Sequence, residues 1–266
     1  MILRLSFPQL IELILKVLIF PGAAFPLIFA IIAIWFERKF LARIHLRIGP
    51  LHVGPLNRTG LMQPIADFLK LIQKEIIVPD NARKFLYNIA PIIAAMVSSL
   101  GVAFIPYALK PGGGYWMIFY TPLSLLVILA IFTARPFILV GAGWAANSKY
   151  CTIGAVRAAL QLLAYEVPIA LSLASIVIMG GTFDLARIVE AQSSIWFIVL
   201  QPIGFLVILV GEMTELFRRP FDISVAEQEV VFGWVTEYSG IQFALITVAE
   251  YFDLCAVTSL ITVLFL

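Results

Sequence analysis

Six predominantly apolar runs of about twenty residues each, at 10–35, 85–107, 122–142, 160–179, 195–213 and 242–266, constrain this chain more than any other feature. A helix of about 20 such residues crosses a hydrocarbon core of about 30 Å and satisfies its own backbone there, which an irregular segment cannot do. Hydrophobic residues make up 62% of the chain and charged residues 13%, against about a quarter charged in soluble proteins. The expectation is an all-α, polytopic membrane bundle of about six transmembrane helices, one membrane domain over 1–266. The first run is too long for a signal-peptide core and is followed by no small-residue cleavage site, so it is expected to be retained.

The charges are unevenly spread. Nine of the 18 Lys and Arg residues lie between Arg38 and Lys84, and six of the 16 acids lie at 212–237. Alternating the loops across a membrane puts Arg135, Lys149, Arg157, Arg218 and Arg219 on the same side as the first basic segment, and leaves Arg4, Lys16, Lys110 and Arg187 on the other. The positive-inside rule then places the N-terminus outside and the polar segments 37–84, 143–158 and 214–240 in the cytoplasm of a cell carrying the protein in its inner membrane. Nothing in this pattern suggests a nucleic-acid partner. Cys151 and Cys255 are far apart and read as small core hydrophobes. His45 and His52 share one basic loop, which excludes a bis-histidine haem. No metal site is expected, and any redox centre belongs to a partner.

Pro21 and Pro26 are expected to kink the first helix, whereas Pro91 and Pro168 read as punctuation near helix starts. Residues 61–75 are different. Gln63, Asp67, Lys70 and Lys74 share one helical face and Ile65, Leu69 and Ile72 another, the pattern of an amphipathic helix lying in the interface. No internal repeat of the kind found in transporters is evident.

Several acids fall where solvation cannot explain them. Glu166 sits inside the fourth run, with Arg157 and Gln161 on nearly the same face, and an ionisable group at that depth costs about 2.5–3.5 kcal/mol to insert. It marks either a proton path or a structural pair with a basic neighbour. Glu212 and Glu215 end the fifth run at i, i+3 spacing. Asp222, Glu227, Glu229 and Glu237 follow among apolar residues, where crowded carboxyls suit a proton relay. Alternatively, they neutralise the first basic loop. Glu250 and Asp253 repeat the i, i+3 spacing in the sixth run.

These segments resemble the H/ND1 family of complex I membrane proteins, which is shared with energy-converting hydrogenases. The resemblance is carried by Glu37-Arg-Lys-Phe-Leu-Ala-Arg43, Arg47-Ile-Gly-Pro50, Gln63-Pro-Ile-Ala-Asp-Phe-Leu-Lys70, Ala142-Gly-Trp144, Asn147-Ser-Lys-Tyr150, Tyr165-Glu-Val167, Arg219-Pro-Phe-Asp222 and Thr236-Glu-Tyr-Ser-Gly240, in the family's order over nearly the whole chain. It implies the heel of an L-shaped complex, where iron–sulfur and catalytic subunits of a peripheral arm dock on the cytoplasmic face. Antiporter-like and small membrane subunits, and lipid, are the implied membrane partners. It also implies a quinone or quinone-like substrate at a mouth formed by Arg38, Arg43, Arg47, Gln63, Asp67 and Lys70. The acids Glu166, Glu212, Glu215, Asp222, Glu227, Glu229, Glu237, Glu250 and Asp253 would couple its reduction to ion translocation. The chain would not be catalytic alone, and the iron–sulfur clusters would belong to partners.

Three departures from the family pattern stand out. Leu51-His52 occupies the place of a usual Asn-Arg, and the loop 56–60 is longer than usual. Phe217 and Val225 replace an expected Asn and Glu. Six helices stand where eight are typical, which reads as a truncation or an absent last pair. Two alternatives remain: the anchor of an energy-converting hydrogenase or sulfur reductase, favoured by Ala226-Glu-Gln-Glu229, and a stand-alone ion carrier using the buried acids.

Overall fold

The computed structural model describes residues 7–54, 59–110 and 114–266. Arg4, Arg58 and much of the lengthened 56–60 loop lie outside them. The chain is mostly helical. Four helices among the described residues are long and apolar enough to cross a membrane: Lys84–Ala103, Ser124–Ala146, Lys149–Gly180 and Gly240–Phe265.

Prolines decide where the other apolar runs break. The first run forms two helices, α1 (Phe7–Leu18) and α2 (Ala24–Ile44), rather than one kinked helix. Pro21 has no N–H to continue the ladder, and a Cβ at Gly22 would stand 1.9 Å from the Val17 carbonyl oxygen, so only glycine fits the turn. Pro26 falls in the first turn of α2, where the missing N–H costs nothing. The amphipathic segment is helical as α3 (Gln63–Gln73).

After α4 (Lys84–Ala103), a two-residue hairpin pairs β1 (Ala108–Leu109) with β2 (Tyr115–Trp116). The third span is divided at Ala134 into α5 (Ser124–Thr133) and α6 (Arg135–Ala146), with Pro136 in the first turn of α6. Only Asn147 and Ser148 separate α6 from α7 (Lys149–Gly180), so most of 143–158 is helix. At 1.5 Å per residue α7 is about 48 Å long and overshoots the hydrocarbon core. Pro168 therefore lies in its interior, and Pro91 lies inside α4, neither near a start. Short helices α8 (Leu185–Ala191) and α9 (Phe197–Leu200) precede α10 (Pro202–Glu215), the fifth run being cut at Gln201-Pro202. One turn, α11 (Glu227–Val230), and a 3-10 turn at Gly233–Val235 lead into α12 (Gly240–Phe265).

Helix α12 packs most extensively on α4, while α7 is clasped between α6 and α10. Parts of all three polar segments meet at one end of the bundle. There the Arg83 N–H donates to the Ala145 carbonyl (2.9 Å), the Ile77 N–H to Ser239 Oγ (3.0 Å), and the Tyr87 hydroxyl to the Glu237 carbonyl (2.6 Å). The core divides into two apolar clusters. One gathers Val102, Ile128, Phe132, Ile169, Ile208 and Ala256 towards the hairpin end. The other gathers Tyr87, Leu139, Ala155, Leu162, Trp234 and Ile246 towards the polar end. On the four long apolar helices, Ser98, Arg135, Glu166 and the pair Glu250 and Asp253 each fall between a member of one cluster and a member of the other.

Close approach inside the bundle depends on some of the helical glycines and not on others. A Cβ on Gly154 of α7 would stand 2.6 Å from the Gly233 Cα and 2.7 Å from the Trp234 nitrogen, whereas one on Gly141 of α6 would meet nothing within 4 Å. Gly154→Ala should therefore destabilise the bundle by about 1–3 kcal/mol, the usual cost of overpacking. Gly141→Ala should leave stability unchanged or raised. Thermal unfolding of the detergent-solubilised variants separates the two, and equal melting temperatures would refute the packing argument.

Candidate functional site

The centre of the site is Arg135, the first residue of α6 and the sole ionisable residue of its apolar run. Its side chain lies inside the bundle, where it is 8% exposed. One guanidinium nitrogen reaches Glu215 Oε1 of α10 at 3.2 Å and the other reaches Asp253 Oδ2 of α12 at 3.0 Å. Glu212 lies one turn before Glu215 and is buried like Asp253, each 2% exposed. Both keep one carboxyl oxygen, Glu212 Oε2 and Asp253 Oδ1, without a hydrogen-bond partner. A lone charge here would be prohibitive, and one cation between carboxyls from two helices makes the burial tolerable.

Two small voids flank this cluster. One, about 30 Å³, is lined by Thr133, Pro136, Tyr165, Glu166 and Glu215. The other, also about 30 Å³, is lined by Ser98, Arg135, Trp234, Glu250 and Asp253. Each is about the volume of one water molecule. Glu166 accepts from the Thr133 hydroxyl at 2.5 Å. The neighbours expected beside it are engaged elsewhere: Arg157 pairs with Glu229 at 2.5 Å, and the Gln161 amide donates to the Thr214 and Phe221 carbonyls. No ion pair joins Glu166 to a base among the described residues, so the basic-neighbour reading of this residue is set aside.

Towards the polar end a larger cavity of about 620 Å³ opens between α2 and the segment after α10. Phe36, Phe40, Leu41 and Phe232 give it apolar walls, while Glu37, His45, Arg47, Arg218, Asp222 and Glu227 give it charge. Glu37 pairs with Arg218 at 2.8 Å and accepts from the Tyr251 hydroxyl at 2.8 Å. Phe217 lines both this cavity and the second void, and Tyr251 adjoins Glu250 of that void. Among the described residues, no three His, Cys, Asp or Glu side chains are grouped to hold a metal ion.

The expected mouth residues fall into three groups. Arg38, Gln63 and Asp67 come together: Arg38 pairs with Asp67, to which the Gln63 amide also donates at 3.1 Å. Arg47 lines the cavity, while Arg43 and Lys70 are exposed and outside its wall. Of the expected acids, Glu166, Glu212, Glu215, Glu250 and Asp253 line the voids or ring Arg135. Asp222 and Glu227 line the cavity, Glu229 is exposed on Arg157, and Glu237 lies apart beside Tyr87. Sequence reasoning missed Arg135, Glu37, Arg218, Tyr251 and Thr133 as site residues. A cation inside the third apolar run was the available signal for Arg135.

Partial burial works to raise the Asp67 carboxyl, but hydrogen bonds from Arg38 and Gln63, with the charges of Arg38 and Lys70, outweigh it and hold the carboxyl below its ordinary range. A carboxyl depressed in the folded state contributes stability above its unfolded pKa and loses it as pH falls through the folded value. The bridge from α2 to α3 is therefore intact at neutral pH. At a half-exposed site it is worth about 0.2–1 kcal/mol. Arg38→Gln should move the Asp67 titration upward, read as its carboxylate band by infrared difference spectroscopy. An unmoved titration would mean that Arg38 does not hold Asp67.

Comparison with known proteins places this arrangement in a family. A family model described as NADH dehydrogenase matches residues 15–266. The H-type subunit of NADH-quinone oxidoreductase from Brevibacillus brevis (strain 47) is 42% identical over 240 residues, covering 89% of this chain and 68% of that one. The protein of the same name from Bacillus thuringiensis (strain Al Hakam) is 40% identical over 256 residues, covering 93% and 74%. The one from Bacillus cereus (strain AH187) matches to the same extent. The chain therefore belongs to the H/ND1 family of NADH dehydrogenase membrane subunits.

Proposed function

We propose that this chain is the quinone-binding, arm-docking membrane subunit of a complex I-like NADH-quinone oxidoreductase that couples electron transfer to ion translocation. The observation that carries this reading is the 620 Å³ cavity at the polar end, which shares Phe217 with the void lined by Arg135, Glu250 and Asp253 and whose wall residue Glu37 binds Arg218 and Tyr251. The cavity has the size of a small-molecule site. Its mixed walls suit a flat, amphipathic head group: the phenylalanines take the ring, and Arg47, His45 and Arg218 donate to its oxygens. Reduction of a quinone consumes two electrons and two protons. The electrons come from iron–sulfur clusters of partner subunits, and the acids supply or sense the protons. The names of the relatives favour this reading over a hydrogenase or sulfur reductase anchor, and the cavity at the polar end favours it over a stand-alone carrier.

In the same reading the domain is a single membrane unit of about six crossings. Runs one and five cross as proline-broken helices, and α3 lies along the interface. The charge asymmetry supports placing the polar end, with its cavity and docking surface, in the cytoplasm of a cell with this protein in its inner membrane. Antiporter-like and small membrane subunits receive the coupling from the far side of the acid cluster.

Two variants test the proposal in the intact complex. Glu166→Gln should leave assembly intact while ion translocation per electron falls, because the amide cannot exchange a proton. Wild-type pumping at wild-type rate would remove Glu166 from the relay. Asp67→Asn should slow reduction of the quinone more than that of an artificial acceptor at the peripheral arm. Equal loss of both activities would instead point to misassembly.

A further inference from the structure

We propose that Arg135 is a positioning residue that sets the pH range over which the acid relay releases protons, by holding Glu215 and Asp253 on one guanidinium at the junction of the two voids. This rests on the relay reading above and assigns the charge that tunes it. The observation is geometric. Arg135 contacts Glu215, which lines the first void with Glu166, and Asp253, which lines the second with Glu250. The two voids share no lining residue, and the Arg135–Glu215 pair joins the wall of one to the wall of the other.

The charge count gives the arrangement its function. Around Arg135 stand Glu212 and Glu215 from α10, Asp253 and Glu250 from α12, and Glu166 of α7 across the first void. Helix α4 contributes the neutral Ser98 and the Gly233–Val235 turn the Trp234 indole. Even counting only Glu212, Glu215 and Asp253, three buried carboxyls face one fixed cation, so their charges do not balance when all three are ionised. A proton taken up there is shared by the cluster rather than held by one residue. The unpartnered oxygens Glu212 Oε2 and Asp253 Oδ1, together with the unpartnered Trp234 Nε1, are places where such a proton or a bridging water is accommodated. Arg135 itself stays charged. It exchanges nothing and acts only through the acids it holds.

The inference predicts opposite effects from its two partners. Removing the cation leaves the remaining carboxyls holding protons more tightly, so release requires higher pH. Removing Asp253 leaves the cation with fewer carboxylates, so release proceeds at lower pH. In sealed membrane vesicles bearing the assembled complex, with dye-monitored proton translocation and quinone reduction followed against pH, Arg135→Gln should shift the profile alkaline by about one unit, the scale of removing a neighbouring opposite charge. Asp253→Asn should shift it acid, the double variant should return towards wild type, and Arg135→Lys should remain close to it. If Arg135→Gln fails to assemble, the direction of the Asp253→Asn shift decides the matter alone. Unmoved profiles, or shifts in the same direction, in complexes assembled at wild-type levels overturn the proposal. Should the profiles stay fixed while Glu166→Gln abolishes pumping, the relay stands and only the tuning role falls. Normal pumping by Glu166→Gln removes the relay itself.

Discussion

One buried guanidinium decides how α6, α10 and α12 can be arranged. Arg135 has carboxyl partners on both other helices, and withdrawing either helix would leave a charge uncompensated in a low-dielectric interior. Removing one member of such a group costs about 3–5 kcal/mol, a large share of a protein's net stability. The hydrophobic effect cannot impose this geometry, because lipid tails solvate leucine and isoleucine as well as a neighbouring helix does. The two apolar clusters above and below fill the remaining space. The ion group fixes which helices stand next to each other at that depth.

The site exists because the helices are broken at chosen places. A one-residue interruption at Ala134 sets Arg135 at the start of α6, and α10, which starts at Pro202, carries Glu212 and Glu215 in its last turn. Interruptions of this kind are tolerated at membrane depth where the freed backbone groups are buried in protein. The loop beyond α10 carries strain of its own. Phe217 (φ 51°) and Val231 (φ 65°) occupy the left-handed region without being glycine, and Phe217 lines the cavity. Such conformations cost about 1–3 kcal/mol each and persist only when the surroundings enforce them. Here the surroundings are the Arg218 pair with Glu37 on one side and the packed Gly233–Val235 turn on the other.

What the sequence made legible was whatever repeats locally. Apolar length announced the spans, and the face pattern of 63–74 announced α3. The i, i+3 spacings of Glu212 with Glu215 and of Glu250 with Asp253 announced carboxyls aimed together. Proline effects were harder to weigh, since Pro21 splits a run while Pro91 and Pro168 sit inside continuous helices. A proline's consequence depends on whether neighbouring helices can satisfy the freed carbonyl, which is tertiary information. Partner choice was equally hidden. Arg157 lies near Glu166 along α7 yet pairs with Glu229, 72 residues away. Arg135 stood out inside its apolar run, but nothing local revealed its acid partners on α10 and α12.

The order of environments from cavity to cluster has a physical consequence. Arg38 and Asp67 are partly solvated, Glu37 and Arg218 are half-buried, and Arg135 with its acids is almost wholly enclosed. Two unit charges 4 Å apart interact by about 1 kcal/mol in water and about 4 kcal/mol at an effective dielectric constant of 20. A change of charge at the solvated mouth is therefore largely absorbed by water. The same change at Glu37 or Arg218 is felt by Glu250 and, through it, by Asp253. Electrostatic coupling thus strengthens inward, so a charge in the cavity acts on the carboxyls of the cluster more strongly than one on the exposed loops. Exposed Glu229, paired with Arg157 in solvent, lies outside that gradient, whereas Glu166, one void beyond Arg135, lies within it.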